Sequence, residues 1–111
     1  MTYTPEAGDI AWIDFSPQSG GETAARHAGV VLTPAAYSIA TGLALVVPMT
    51  TKAKGGTFEV PMRSTRRAKG VVLANELRTI DYAARRAEKF DTCPPDILQR
   101  IRDIGEALIR G

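Results

Sequence analysis

The sequence predicts a mainly β protein with one C-terminal α-helix: a strongly curved antiparallel sheet or small barrel, of roughly five to seven strands, closed by that helix. Three observations predict it. Short runs of branched apolar residues alternate with Gly- and Pro-containing turns along most of the chain, and the apolar period becomes helical only near the end. The third observation is size, because 111 residues with 44% hydrophobic and 23% charged side chains describe one domain, 1–111, with a modest core. A chain this short buries only about two-thirds of the surface its unfolded form exposes, so a dimer interface is a natural supplement.

The expected strands are Ile10 to Phe15, Gly29 to Leu32, Leu43 to Val47, Thr57 to Val60 and Gly70 to Ala74. Turns separate them at Ser16 to Gly21, Thr33 to Ala36, Lys52 to Gly56 and Arg63 to Lys69, where Gly and Pro favour reversal over continued pairing. Pro61 ends its strand, since its ring nitrogen has no hydrogen to donate to a ladder. A short helical piece is expected around Pro34 to Ala40, broken soon after at Thr41-Gly42. At the C-terminus Ile97, Leu98, Ile101, Ile104, Leu108 and Ile109 form one helical stripe, and Pro94-Pro95-Asp96 suits a helix's first turn. The stripe covers the open face of the sheet. Trp12, Phe15 and Phe58 read as core, which leaves no broad aromatic platform.

Charge is unevenly spread. Residues 1–51 carry a net −3 and residues 90–111 a net −1, whereas residues 52–89 hold ten Lys and Arg against four acids, for +6. A basic middle third is what a polyanion-binding face needs, although a solvated charged face has the same composition. The single Cys93 has no partner for an internal disulfide, and one Cys with one His cannot complete a structural zinc site. No cofactor or metal is expected. Neither a leader nor an apolar run of membrane-spanning length is visible, so the chain is read as cytoplasmic and without membrane contact.

Gly8-Asp9-Ile10-Ala11-Trp12-Ile13-Asp14-Phe15, then Pro17, Gly20 and Glu22, then Gly29-Val30-Val31-Leu32-Thr33-Pro34, resembles the opening of the MazF/PemK family of toxin ribonucleases. The likeness continues through Thr41-Gly42-Leu43, Val47-Pro48-Met49-Thr50-Thr51, Lys54-Gly55, Phe58-Glu59-Val60, Gly70-Val71-Val72-Leu73-Ala74 and Leu77-Arg78-Thr79-Ile80-Asp81. It covers essentially the whole chain, in order and in register. The resemblance implies a homodimeric SH3-like barrel of the CcdB/PemK type. It implies an mRNA interferase that cuts single-stranded RNA without metal, leaving a 2′,3′-cyclic phosphate and a 5′-hydroxyl. It implies too that an antitoxin with an acidic, disordered C-terminal tail silences the enzyme.

Metal-free cleavage needs a group to take the 2′-hydroxyl proton, a proton for the leaving 5′-oxygen, and donors for the charge developing on phosphorus. By the resemblance, the catalytic pair is an Arg on the loop before the second strand and a Thr after the Val-Pro segment. The Thr falls on Thr50, whose neutral hydroxyl can donate to a phosphoryl oxygen. The Arg-Pro falls on His27-Ala28, with Arg26 one position earlier. Arg keeps its proton and acts as a charge clamp, whereas His titrates near neutrality. His27 takes over proton transfer, or Arg26 swings into the phosphate site, or the site is weakened.

Glu22 also fits the pattern and could position Arg26 or a protonated His27; it could equally be a plain loop acid. Thr51, Lys52 and Lys54, with Gly55-Gly56 behind them, suit a phosphate backbone. Glu76, Arg78 and Thr79 stand where the family binds RNA, with Glu76 in place of the usual Gln, a change that alters base reading and leaves the target sequence open. Two rival functions remain: a CcdB-like toxin that inhibits gyrase by binding alone, and a catalytically weakened, RNA-binding regulatory dimer.

Overall fold

The computed structural model describes residues 3–15 and 26–111. Glu22 and the expected turn at Ser16 to Gly21 lie outside these residues.

The strands are β1 (Asp9–Asp14), β2 (Arg26–Val31), β3 (Leu43–Thr50), β4 (Glu59–Pro61), β5 (Val71–Leu73), β6 (Arg78–Asp81) and β7 (Glu88–Thr92). The helices are α1 (Ala35–Thr41) and α2 (Pro95–Arg110). All pairings are antiparallel, and the sheet runs β4-β5-β3-β2-β1-β7 with β6 also on β3. β3 therefore sets the curvature. One of its edges pairs with β2, while the other is shared between β6, along Leu43 to Val46, and β5, at Met49 and Thr50. A strand split between two partners must twist from one to the other, and that bends the sheet into a barrel-like shell.

No ladder joins β4 to β7; a side chain does the joining. Asp91 of β7 accepts backbone N–H bonds from Arg66 (3.4 Å), Arg67 (2.5 Å) and Ala68 (2.7 Å) in the loop after β4, and from Thr92 (2.8 Å). Partial burial works against its charge, but the four donors outweigh that and hold the carboxyl below its ordinary range.

Because both faces of the central strands are covered, two apolar clusters form. Ile10, Val30, Val47, Met49, Val60 and Val72 pack with Ile97 and Ile101 of α2, and Ala11, Ile13, Phe15, Val31, Val46 and Ile80 fill the opposite face. α2 follows its expected stripe through Ile97, Ile101 and Gly105, but Leu108 and Ile109 project into solvent, Ile109 being 76% exposed. Two other expectations fail. Trp12 is 40% exposed and Phe58 is 38% exposed, so neither belongs to the core. Trp12 shares a face with Ile10, but α2 covers the Ile10 end and the rim beyond it is open; Phe58 sits on the exposed loop before β4.

β6 and β7 went unread in the sequence, and β2 begins at Arg26 rather than Gly29. The second difference matters most, because it moves Arg26 and His27 from a loop onto a strand. Thr50 likewise closes β3 instead of following it.

Candidate functional site

Strand alternation sorts the candidate residues. β1 pairs Ile13 with His27 and Asp14 with Arg26, so the two neighbours point to opposite faces. On the other side β2 pairs Gly29 with Pro48; continued two residues, that register sets His27 opposite Thr50. Both residues lie at the rim of the sheet. One cavity of about 540 Å³ and another of about 250 Å³ flank this rim, and His27, Met49 and Thr50 line both.

Two glycines shape the rim. At Gly29 a Cβ would come within 2.8 Å of the Phe15 ring, so the missing side chain is what lets Phe15 lie beneath His27. The two rings are tilted, with centroids 6.4 Å apart, and the Arg78 guanidinium stands 5.5 Å above the Phe15 ring. Gly70 has φ +108°, and a Cβ there would stand 2.2 Å from the Thr50 carbonyl oxygen. Its bare backbone allows the close approach that fixes the end of β3.

Thr50 is oriented as well as placed. Lys52 N–H donates to its Oγ1 at 3.1 Å, which occupies a lone pair and leaves the hydroxyl proton to be given outward. The larger cavity is cationic: Lys52, Arg67 and Lys69 line it, their side chains making no salt bridge among the described residues, and no described Asp or Glu is in its wall. The smaller one holds Glu76 and Arg78 beside Phe15 and Leu73.

Arg26 is engaged elsewhere. Its guanidinium donates to Asp14 at 2.9 Å and to the Arg86 carbonyl at 3.0 Å, and lies 3.5 Å from Glu88. Asp14 is held below the ordinary carboxylate range, first by the hydrogen bond from Arg86 and then by that from Arg26. Arg26 thus touches the wall of the larger cavity with its charge already paired. His27 is exposed, and its ring makes no hydrogen bond within the described residues.

Other expected residues divide. Thr51 and Lys52 line the larger cavity, and Glu76 and Arg78 the smaller. Lys54 and Thr79 line neither; the Lys54 and Gly55 amides instead bind the Glu59 carboxylate at 3.0–3.1 Å, which folds the loop onto β4. The sequence reading missed Asp14 as the partner of Arg26, and missed Arg67, Lys69 and Phe90 as cavity residues. Among the described residues no group of three His, Cys, Asp or Glu could hold a metal ion. Cys93 is buried, and desolvation pushes its thiol up to about 11, so it is no nucleophile.

The fold and rim together define a small barrel-like β scaffold with a cationic rim. The family model described as PemK-like, MazF-like toxin of type II toxin-antitoxin system matches residues 6–105, and the chain belongs to that family. It is 43% identical over 100 residues to the endoribonuclease toxin MazF of Escherichia coli (strain K12), covering 90% of this chain and 89% of that one. The crystal structure of MazF (Form-I) from Deinococcus radiodurans matches with a TM-score of 0.89 and 40% identity, over 99% of this chain and 100% of that one. A MazE–MazF crystal structure (Form-II) from the same organism matches with a TM-score of 0.85 and 37% identity, over 97% of each chain.

Proposed function

We propose that this chain, as one domain, is the endoribonuclease toxin of a type II toxin–antitoxin pair, and that it cuts single-stranded RNA without metal at the rim that His27 and Thr50 line. The observation that carries this reading is the shared lining: one imidazole and one oriented hydroxyl, brought by the neighbouring strands β2 and β3, border the same two cavities. His27 takes the proton of the 2′-hydroxyl as that oxygen bonds to phosphorus and the P–O5′ bond breaks. The 5′-oxygen is protonated by solvent, which reaches the exposed ring. Thr50 Oγ1 donates to a non-bridging oxygen, and Lys52, Arg67 and Lys69 offset the dianionic charge.

Arg26 acts as a brace for β1, β2 and the turn before β7 through Asp14 and the Arg86 carbonyl, rather than as the proton-transfer group. The partner is an antitoxin whose acidic tail occupies the same cations and folds on binding. The toxin works as a homodimer, in which a second copy covers apolar surface such as Ile109, and acts in the cytoplasm, where its mRNA substrate is. No described helix is long and apolar enough to cross a membrane.

The test is a digest of a long single-stranded RNA by purified protein in EDTA. Discrete fragments ending in 2′,3′-cyclic phosphate and 5′-hydroxyl are expected. Strict metal dependence would overturn the mechanism, and binding without cleavage would leave a regulatory RNA-binding dimer in its place.

A further inference from the structure

The larger cavity contains a feature that phosphate chemistry does not use. Trp12 of β1 and Phe90 of β7 stack with centroids 4.3 Å apart and rings 12° from parallel, and both line the cavity wall alongside Thr50 and Lys52. The pairing of β1 with β7 shifts between Ile10 and Ala11: Ile10 faces Asp91 but Ala11 faces Lys89, so Phe90 is the extra residue of a β-bulge. A bulge re-aims a side chain, and here the re-aimed ring lies on Trp12. The same bulge places Asp91, whose carboxylate holds the loop that carries Arg67 and Lys69. One irregularity in the ladder therefore arranges both an aromatic surface and the cations beside it.

With Trp12 40% exposed, the stacked pair presents an aromatic surface to the cavity. We infer that the Trp12–Phe90 pair is a base-stacking subsite of this chain, holding a nucleotide next to the cleaved linkage while Lys52, Arg67 and Lys69 bind the flanking phosphates. The inference rests on the RNA-cleaving reading above. Charge complementarity selects the occupant: among the described residues the wall carries cations without salt-bridge partners and no carboxylate, and the aromatic surface opens into the same space. Stacking tolerates any base, so the subsite fixes register and affinity and leaves base reading to the side of Glu76 and Arg78.

Trp12 is the chain's only tryptophan, which makes the subsite its own reporter. The probe is a 2′-O-methylated oligonucleotide carrying a sequence cut in the digest, together with versions in which one base at a time is removed. Binding is expected to quench Trp12 emission. Loss of the base at one position beside the cleaved linkage weakens binding by about 5- to 150-fold, the range of a single stacked base. Phe90→Leu keeps apolar bulk against the core but removes the ring; in it that position's effect shrinks to that of the others. Phe90→Ala repeats the comparison with the bulk removed. If RNA is bound and cut with no change in Trp12 emission and no position responding to Phe90→Leu, the subsite is refuted while the ribonuclease stands. Quenching by an acidic antitoxin peptide but not by RNA assigns the pair to the partner instead. If RNA is neither bound nor cut, both readings fall together.

Discussion

Gly70→Ala tests how the rim holds its reactive hydroxyl. A methyl group at this position would stand 2.2 Å from the Thr50 carbonyl oxygen, 2.9 Å from its carbonyl carbon and 3.1 Å from the Thr51 Cα. All three are backbone atoms, so no side chain can swing aside. Bringing the shortest contact to an ordinary van der Waals distance means moving the end of β3 by about 1 Å. The φ of +108° adds conformational strain for any residue with a Cβ. Strain and overpacking together cost about 4 kcal/mol. In a chain this size that lowers Tm by roughly 15 °C. A misplacement of about 1 Å at Thr50 costs on the order of 10²-fold in turnover. Gly55→Ala is the control: it also has positive φ, +76°, but nothing lies within 4 Å of the new Cβ. It should cost about 1 kcal/mol, and because Gly55 lines neither cavity turnover should be nearly unchanged. Thermal unfolding and single-turnover cleavage of one RNA would be measured for both. If Gly70→Ala matches Gly55→Ala in both measurements, the close approach to Thr50 is not what shapes the rim.

Thr50→Ala removes the donor to the phosphoryl oxygen and should lower the cleavage rate on the order of 10²-fold, with RNA affinity within a few-fold of wild type; unchanged turnover would make Thr50 a strand terminus only. Asp91→Asn replaces an acceptor of four backbone bonds with an amide whose NH₂ opposes some of them, and should destabilise by on the order of 2 kcal/mol, discounted for the carboxylate's partial exposure. Asp91 and Asp14 both titrate below the ordinary Asp value of about 3.9. The stability they contribute is therefore complete above that pH and is lost as pH falls through their lowered native values. The Tm gap between wild type and Asp91→Asn should be constant from neutrality to about pH 5 and close below about pH 4; a gap that widens in acid would contradict the latch. Lys52→Glu with Lys54→Glu should weaken RNA and antitoxin-tail binding together, because Lys52 lies in the shared cavity; loss of RNA binding alone would separate the two sites.

The parts of this molecule that were legible in the sequence are those whose local pattern agrees with their tertiary role. β1, β2 and β3 are branched and apolar because both their faces are buried, and α2 announces itself through Ile97, Ile101 and Ile104. β6 (Arg-Thr-Ile-Asp) and β7 (Glu-Lys-Phe-Asp-Thr) were not legible. Five of their nine residues are charged and only one position between them is buried, so no apolar run marks them, and it is pairing with β3 and β1 that makes them strands. Thr50 could be placed from its Val-Pro-Met context. The state of Arg26 could not, since its partners are 12 and 60 positions away and only the closed sheet brings them to it. Trp12 misled for a related reason: its alternation with Ile10 assigns the correct face, but where α2 stops covering that face is a property of the packed helix.

The central claim is that His27, and not Arg26, handles the proton at the cleaved linkage. The most direct measurement is single-turnover cleavage of one RNA by His27→Gln and Arg26→Lys, with unfolding followed in parallel. His27→Gln should lose roughly 10²- to 10⁴-fold in rate with its stability intact. Arg26→Lys should keep most of its rate while losing stability, because a lysine cannot reproduce the forked contact with Asp14 and the Arg86 carbonyl. Abolished cleavage in a stably folded Arg26→Lys, beside a nearly silent His27→Gln, would contradict the account.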